Sequence, residues 1–187
     1  KSEGVNILPD PGILELIPPN ANIYEFDIKD NNLSLICVVR DIISGENLKF
    51  YIYNHKEVFK PELFYIEKTD DAQHYQITSL TKILDYSSGM QEFKYKTDRE
   101  LSGMLSHIAE EYSIEIEPLT ISSRNSSIKR KGYIYLTGSH SQLINFCRKL
   151  NLIDVNIAFK TLAILENEQA SSENLTLKIG ITIYPQK

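Results

Sequence analysis

No run of apolar residues in this chain approaches the roughly 20 that a bilayer-spanning helix requires, and Lys1–Leu8 is neither a signal peptide nor an anchor. A chain that opens at Lys1 rather than at a methionine reads as trimmed, with a membrane anchor expected upstream. Basic residues are not in excess. With 25 Asp and Glu against 20 Lys and Arg, the formal charge is −5, and a mildly acidic field argues against nucleic acid as a partner. Cysteine is scarce. Cys37 and Cys147 lie far apart, each inside an apolar pattern, and are expected to be buried free thiols. A disulfide between them would require the two halves of the chain to meet at those points, so the redox compartment stays open.

Signatures of chemistry are missing as well. His55, His74, His107 and His140 are scattered without His-x-x-x-His or Cys-x-x-Cys spacing, which removes the usual metal-site pattern. There is no glycine-rich phosphate loop. Gly138-Ser139-His140-Ser141 sets hydroxyls beside an imidazole, but it lacks the flanking glycines of a nucleophile elbow, and its serines serve better as helix caps. Asp70-Asp71 and Glu110-Glu111 are neighbours in sequence, so their carboxylates point apart on a strand or helix and make poor acid–base couples. Asn125-Ser-Ser and Asn174-Leu-Thr match a glycosylation triplet that is common by chance. No residue is assigned a catalytic, cofactor-binding or metal-binding role. No cofactor is expected.

What the chain does have is alternation. Leu175, Leu177, Ile179, Ile181 and Ile183 interleave with Thr176, Lys178, Gly180, Thr182 and Tyr184, the period of a half-buried strand. Val155–Leu165 is a second extended run, joined to it through the polar loop Glu166–Asn174. Upstream, Leu143, Ile144, Cys147 and Leu150 recur at helical spacing after Ser139 or Ser141, and Gly132–Thr137 precedes them as a strand. The order is strand, helix, strand, strand, with the helix expected to cover the sheet's apolar face. Before this comes the capping box Thr97-Asp-Arg-Glu100, opening a helix whose stripe is Leu101, Met104, Leu105, Ile108, Ala109 and Tyr112. Ile114–Glu117 follows as a strand. The basic stretch Ser122–Lys131, with Arg124, Lys129, Arg130 and Lys131, reads as a mobile solvated loop in preference to a phosphate or lipid site.

The first half begins with Pro9, Pro11, Pro18 and Pro19, which keep the opening irregular to about Asn20. Ile23, Tyr24, Phe26 and Ile28 then face Leu33, Leu35, Cys37 and Val39 across Asp30-Asn31-Asn32, a hairpin whose asparagines tolerate positive φ. From Ser44, a helix with Leu48, Tyr51, Ile52, His55, Val58 and Phe59 on one stripe is favoured, although Leu48, Phe50 and Ile52 would also fit a strand. Strands Leu63–Lys68 and Tyr75–Leu84 follow, separated by Thr69-Asp70-Asp71. Residues Ile83–Gln91, with Ser87-Ser88-Gly89, mark the boundary between halves.

The line from Gly132-Tyr-Ile-Tyr-Leu-Thr-Gly-Ser-His-Ser-Gln-Leu-Ile-Asn-Phe-Cys-Arg-Lys-Leu to Val155-Asn-Ile resembles the extracytoplasmic domain of the PilO family, alignment proteins of type IV pilus machines. Leu143 and Phe146 stand where that family carries the core of its short helix. Leu14-Glu-Leu-Ile-Pro-Pro, Val58-Phe59 and Phe64-Tyr65-Ile66, over about Leu14–Leu84, resemble its partner family PilN, though a PilN-like and a PilO-like unit in one chain departs from the usual separate pair. The resemblance implies an α+β fold of two small ferredoxin-like units, each an antiparallel sheet with helices on one face. These would be an irregular leader over 1–20, a PilN-like unit over 21–86 and a PilO-like unit over 91–187. No repeat of residue identity links the halves, so any duplication is one of shape.

The same resemblance implies a non-enzymatic scaffold of a type IV pilus or type II secretion platform, held at the extracytoplasmic face of the cytoplasmic membrane by its anchor. Its partners would be other inner-membrane platform proteins or a second copy of this chain, docking at open sheet edges for which Leu175–Tyr184 and Leu63–Lys68 are the candidates. The alternative is an α+β enzyme or ligand-binding domain whose site is assembled from scattered residues.

Overall fold

In the computed structural model, which describes residues 16–18, 21–29, 31–71, 73–84, 93–165 and 174–186, the alternating segments pair as antiparallel strands. Asn22–Lys29 (β1) and Asn32–Val39 (β2) form the expected hairpin, with Asn31 at φ 63°. Tyr24 is displaced from the buried row because the register shifts between Ile23 and Glu25, leaving it an extra residue with an exposed ring. Of the two readings open after Ser44, the helix is adopted. It runs Ile42–Asn54 (α1), is capped by the Asp41 carboxylate accepting from the Ser44 N–H at 2.8 Å, and ends where the His55 N–H reaches the Tyr51 carbonyl. Val58 and Phe59 therefore fall outside it, and Phe59 opens the strand Phe59–Lys68 (β3), which pairs with Tyr75–Ile83 (β4).

The second half follows the expected order with two additions. The helix Asp98–Glu111 (α2) has its capping box in place and ends at Ser113, whose φ of 56° reverses the chain. Glu115–Ile116 (β5) is followed by Thr120–Ile121 (β6), a short strand the alternation did not announce, and both pair with Arg130–Ser139 (β7). His140–Asn151 (α3) is capped by Ser139 rather than Ser141, and Ile157–Leu165 (β8) pairs with Asn174–Ile183 (β9). The leader, apart from residues 16–18, most of the expected boundary Ile83–Gln91, and the loop after β8 lie outside the described residues.

The expectation of two separate sheets is corrected: all nine strands belong to one sheet, ordered β3-β4-β2-β1-β8-β9-β7-β5, with β6 also on β7. The halves join where β1 meets β8 through Phe26 opposite Ile164, Asp27 opposite Ala163 and Ile28 opposite Leu162. Alternation alone cannot distinguish a strand that ends a sheet from one that continues it into the next, because both bury one face. One face of this sheet is apolar from end to end, through Ile66, Ile77, Cys37, Leu35, Phe26, Ile164, Leu177 and Leu136, and the buried faces of α1, α2 and α3 join it in a single core. The helices share a face for a chiral reason. Counting antiparallel neighbours, β2 and β7 run in the same direction, and β2-α1-β3 and β7-α3-β8 both cross to the same side, so two right-handed crossovers lie on one surface.

The halves also repeat each other in register. In each, an antiparallel strand fills the gap left by the crossover: β4 between β2 and β3, β9 between β7 and β8. Leu35 opposite Ser79 corresponds to Ile134 opposite Ile179, and Cys37 opposite Ile77 to Leu136 opposite Leu177. Even an irregularity recurs, since β3 shifts register between Pro61 and Leu63 and β8 between Phe159 and Thr161. On the outer side, Ile28 opposite Leu33 corresponds to Ile121 opposite Gly132, so β5 and β6 together stand in for β1, interrupted around Pro118.

Candidate functional site

A sheet that does not close leaves two edges, and these are the first places to look for a partner. Of the two runs expected there, Leu63–Lys68 does lie at an edge: among the described residues β3 pairs only with β4. Leu175–Tyr184 does not. The β7-α3-β8 crossover leaves a gap one strand wide, and β9 fills it, hydrogen-bonded on both sides. Its polar residues face solvent across the sheet's open face, where Lys178 lies 4.6 Å from the ring centre of Tyr133. The opposite edge is built from the short β5 and β6 instead.

The β3 edge is guarded at one end and open at the other. Pro61 contributes no N–H and sits beside the bulge, with Lys60 and Glu62 exposed around it. Beyond the bulge, Phe64 and Ile66 are only half-buried although they pack on the core, and Tyr65 between them is 54% exposed. At the far edge Ile116, Leu119 and Ile121 are half-buried in the same way.

Above the β3 edge stands α1, whose outer side is the feature that reading the sequence missed. Leu48, Ile52 and Gly45 face inward, Gly45 because a side chain there would press within 3.1 Å of Ile66. Yet Phe50 is 71% exposed and Ile43 66%, while Tyr53, also exposed, meets Phe64 edge-on with ring centres 6.5 Å apart. A solvated helix face is normally polar. The signal was present in the sequence, since Ile43, Phe50 and Tyr53 are apolar residues left over once the inward stripe is assigned.

The polar groups singled out in the sequence turn out to hold local structure. The Asp71 carboxylate accepts hydrogen bonds from the Thr69 hydroxyl, the backbone N–H groups of Gln73 and His74, and the His74 ring at 2.6 Å, and these bonds, that of Thr69 foremost, hold its pKa well below the usual carboxylate range. His55 stacks on Tyr51 and bonds its carbonyl. His107 is exposed on α2. Ser139 accepts from the Gln142 N–H, and the Gln142 side chain accepts in return from the Ser139 N–H, so the Ser139 hydroxyl is used as a cap, with the Ser141 hydroxyl 3.3 Å from it. Glu111 comes within 3.9 Å of Lys149. Burial pushes both Cys37 and Cys147 up to about 12. Among the described residues no three His, Cys, Asp or Glu side chains gather as a metal site would require, and no helix is long and apolar enough to cross a membrane.

One expected loop residue is relocated. Arg130 is not solvated: it opens β7 with its side chain buried, forming a two-pronged contact in which Nη1 and Nη2 each donate to the Asp98 carboxylate at 2.6 Å, with Nη1 also 3.3 Å from the Ser123 carbonyl. The pair ties the start of α2 to β7, Lys131 follows within β7, and the remainder of the basic stretch, 122–129, is the largely exposed connection between β6 and β7. A second tie is Asn156, fully buried. Its Nδ2 donates to the Lys96 and Tyr184 carbonyls and its Oδ1 accepts from the Lys96 N–H at 2.8 Å, pinning the segment before α2 to the end of β9.

Comparison with protein-family models, with curated proteins and with solved structures returned no match.

Proposed function

We propose that this chain is a non-enzymatic scaffold that works by protein–protein association, as an extracytoplasmic component of a type IV pilus or type II secretion assembly platform. The observation that carries the association is the exposed apolar side of α1, above a sheet edge whose core residues are only half-covered. Water-facing Phe50, Ile43 and Tyr53 are what a surface covered in its working state would present. The machine is named on the residues of Gly132–Leu150 and Val155–Ile157 that resemble PilO, and on those of Leu14–Leu84 that resemble PilN. Two small ferredoxin-like units are the finer form of this reading. The split arrangement in each half, a crossover with its gap filled by an antiparallel strand, supports this, and in the second half α2 and the β5–β6 edge precede it as the first helix and outer strand of such a unit.

In this role the chain is held at the outer face of the cytoplasmic membrane and pairs with other platform proteins or with itself. Deleting it from its host tests the reading. Surface pili should disappear while pilin synthesis and the other platform proteins persist. Normal piliation and secretion in the deletion strain, or a cytoplasmic location of the full-length protein, overturns the assignment.

A further inference from the structure

The contact between the two halves is a strand pairing that the molecule can make again with its own ends. At that contact β1 lies against β8, and the four apolar residues that meet there, Phe26, Ile28, Leu162 and Ile164, are between 1% and 6% exposed. By the repeated register, β3 is the counterpart of β8: the shared bulge sets Leu63 opposite Leu80 as Thr161 is set opposite Gly180, so Phe64, Tyr65 and Ile66 stand where Leu162, Ala163 and Ile164 stand. Likewise β6 is the counterpart of β1, with Thr120 opposite Tyr133 as Asp27 is opposite Ser34, which puts Leu119, Thr120 and Ile121 in the places of Phe26, Asp27 and Ile28. The edges of the sheet among the described residues are thus copies of the two strands that already pair inside it.

We propose that copies of this chain associate head to tail, the β3 edge of one adding to the β5–β6 edge of the next in the register that β1 and β8 use. This rests on the reading of the chain as a protein that works by association, and not on the machine it serves. The register sets Phe64 opposite Ile121, Tyr65 opposite Thr120 and Ile66 opposite Leu119. Continued antiparallel, it brings Lys68 opposite Glu117, an opposite-charge pair of the kind that favours cross-strand contact. Pro61 does not obstruct it, because β8 bulges at the same position and its pairing with β1 likewise begins only past the bulge. The half-buried Phe64, Ile66, Leu119 and Ile121 would become covered as their counterparts are. The same step sets α1, packed on β3, beside α2 of the neighbour, packed on β5, so the Tyr53 side of α1 gains a covering. The contact joins unlike surfaces, so it closes into a ring or extends as a filament rather than stopping at a two-fold dimer.

The test is cross-linking between exposed positions, read alongside mass by light scattering. Tyr65→Cys and Thr120→Cys alter exposed side chains outside the core, and the native thiols are buried. A mixture of the two variants under mild oxidation should give a covalent dimer that neither gives alone. A chain carrying both should give closed rings or a ladder. The unmodified protein should gain mass as concentration rises. A chain that stays monomeric at millimolar concentration overturns the proposal. So does a Tyr65→Cys variant that cross-links to itself as well as to its complement, or equal yield when Glu67→Cys replaces Tyr65→Cys.

Discussion

Replacing Asn156 with alanine should be one of the costliest single changes of its size in this protein. The side chain, itself fully buried, makes three hydrogen bonds, two to Lys96 and one to the Tyr184 carbonyl, all across long separations in sequence. At a net of about 0.5–1.5 kcal/mol each, with the abandoned backbone groups partly rehydrated through the gap, the loss is about 2–4 kcal/mol. For a chain of this size that lowers Tm by about 5–15 °C. Urea melts followed by far-ultraviolet circular dichroism, with an unchanged m-value, would measure it. Asn156→Asp sharpens the test. A carboxylate there turns acceptor oxygens toward two carbonyls, whereas its protonated form can donate to one of them. The folded state therefore raises that carboxyl's pKa, so the deficit of Asn156→Asp relative to Asn156→Ala should be smallest below the ordinary carboxyl range and grow as pH rises through the raised value. An alanine variant within about 0.5 kcal/mol of the parent would refute the reasoning, since it would mean that these bonds add nothing beyond what water supplies.

Burial should make both thiols inert: with Cys37 and Cys147 near 12, only about one side chain in ten thousand is thiolate at pH 8, so an aromatic disulfide reagent should label neither until denaturant is added. The Arg130–Asp98 contact should be asymmetric, because the guanidinium is buried while the carboxylate is partly open to water. Asp98→Ala should cost about 2–4 kcal/mol and Arg130→Met distinctly less, and equal losses in urea melts would show that the charge is not held by its partner. The backbone and side-chain hydrogen bonds from Thr97 lower the pKa of Glu100 below 4.5, so the capping box strengthens α2 above that pH and loses its contribution as pH falls through the lowered value. Amide protection factors at the start of α2, which divide out the intrinsic slowing of exchange in acid, should fall on acidification in the parent, be low throughout in Glu100→Ala and stay level in Glu100→Gln, whose amide can accept from Thr97 as Gln142 does from Ser139.

The elements were legible because each has a local cause. Capping residues announced α2 and α3, Asn31 announced the first turn, and alternation announced β2, β4, β7 and β9. The single sheet was not, because the pairing of β1 with β8 depends on which edges face each other in space. The internal repeat was hidden for another reason. Where Leu33 lies opposite Thr81, its counterpart is Gly132 opposite Ile181, the large side chain having moved to the other strand. Such exchanges conserve volume and erase identity. Gly132 has no room for a side chain, since a Cβ would come within 3.1 Å of Ile181 and 3.2 Å of the Thr120 carbonyl. The buried hydroxyls of Ser79 and Thr81 lie 3.2 Å apart and satisfy each other, which let polar residues occupy core positions on β4 without showing as core in the sequence. The surface proposed for docking was legible only in part, as Tyr65 and its neighbours, because an exposed aromatic on a helix is recognised only after the inward side is known.

Where β1 meets β8, three residue pairs among the described residues carry the sheet from one half of the protein to the other, and this makes the molecule mechanically directional. Tension along the strands would load all three rungs at once, in shear. Tension across the strands would open them one after another, starting from whichever end is pulled, against the resistance of the shared apolar core. A chain built this way is stiff in one direction and compliant in the other, and under load it should part at Asp27 and Ala163 before either half unravels.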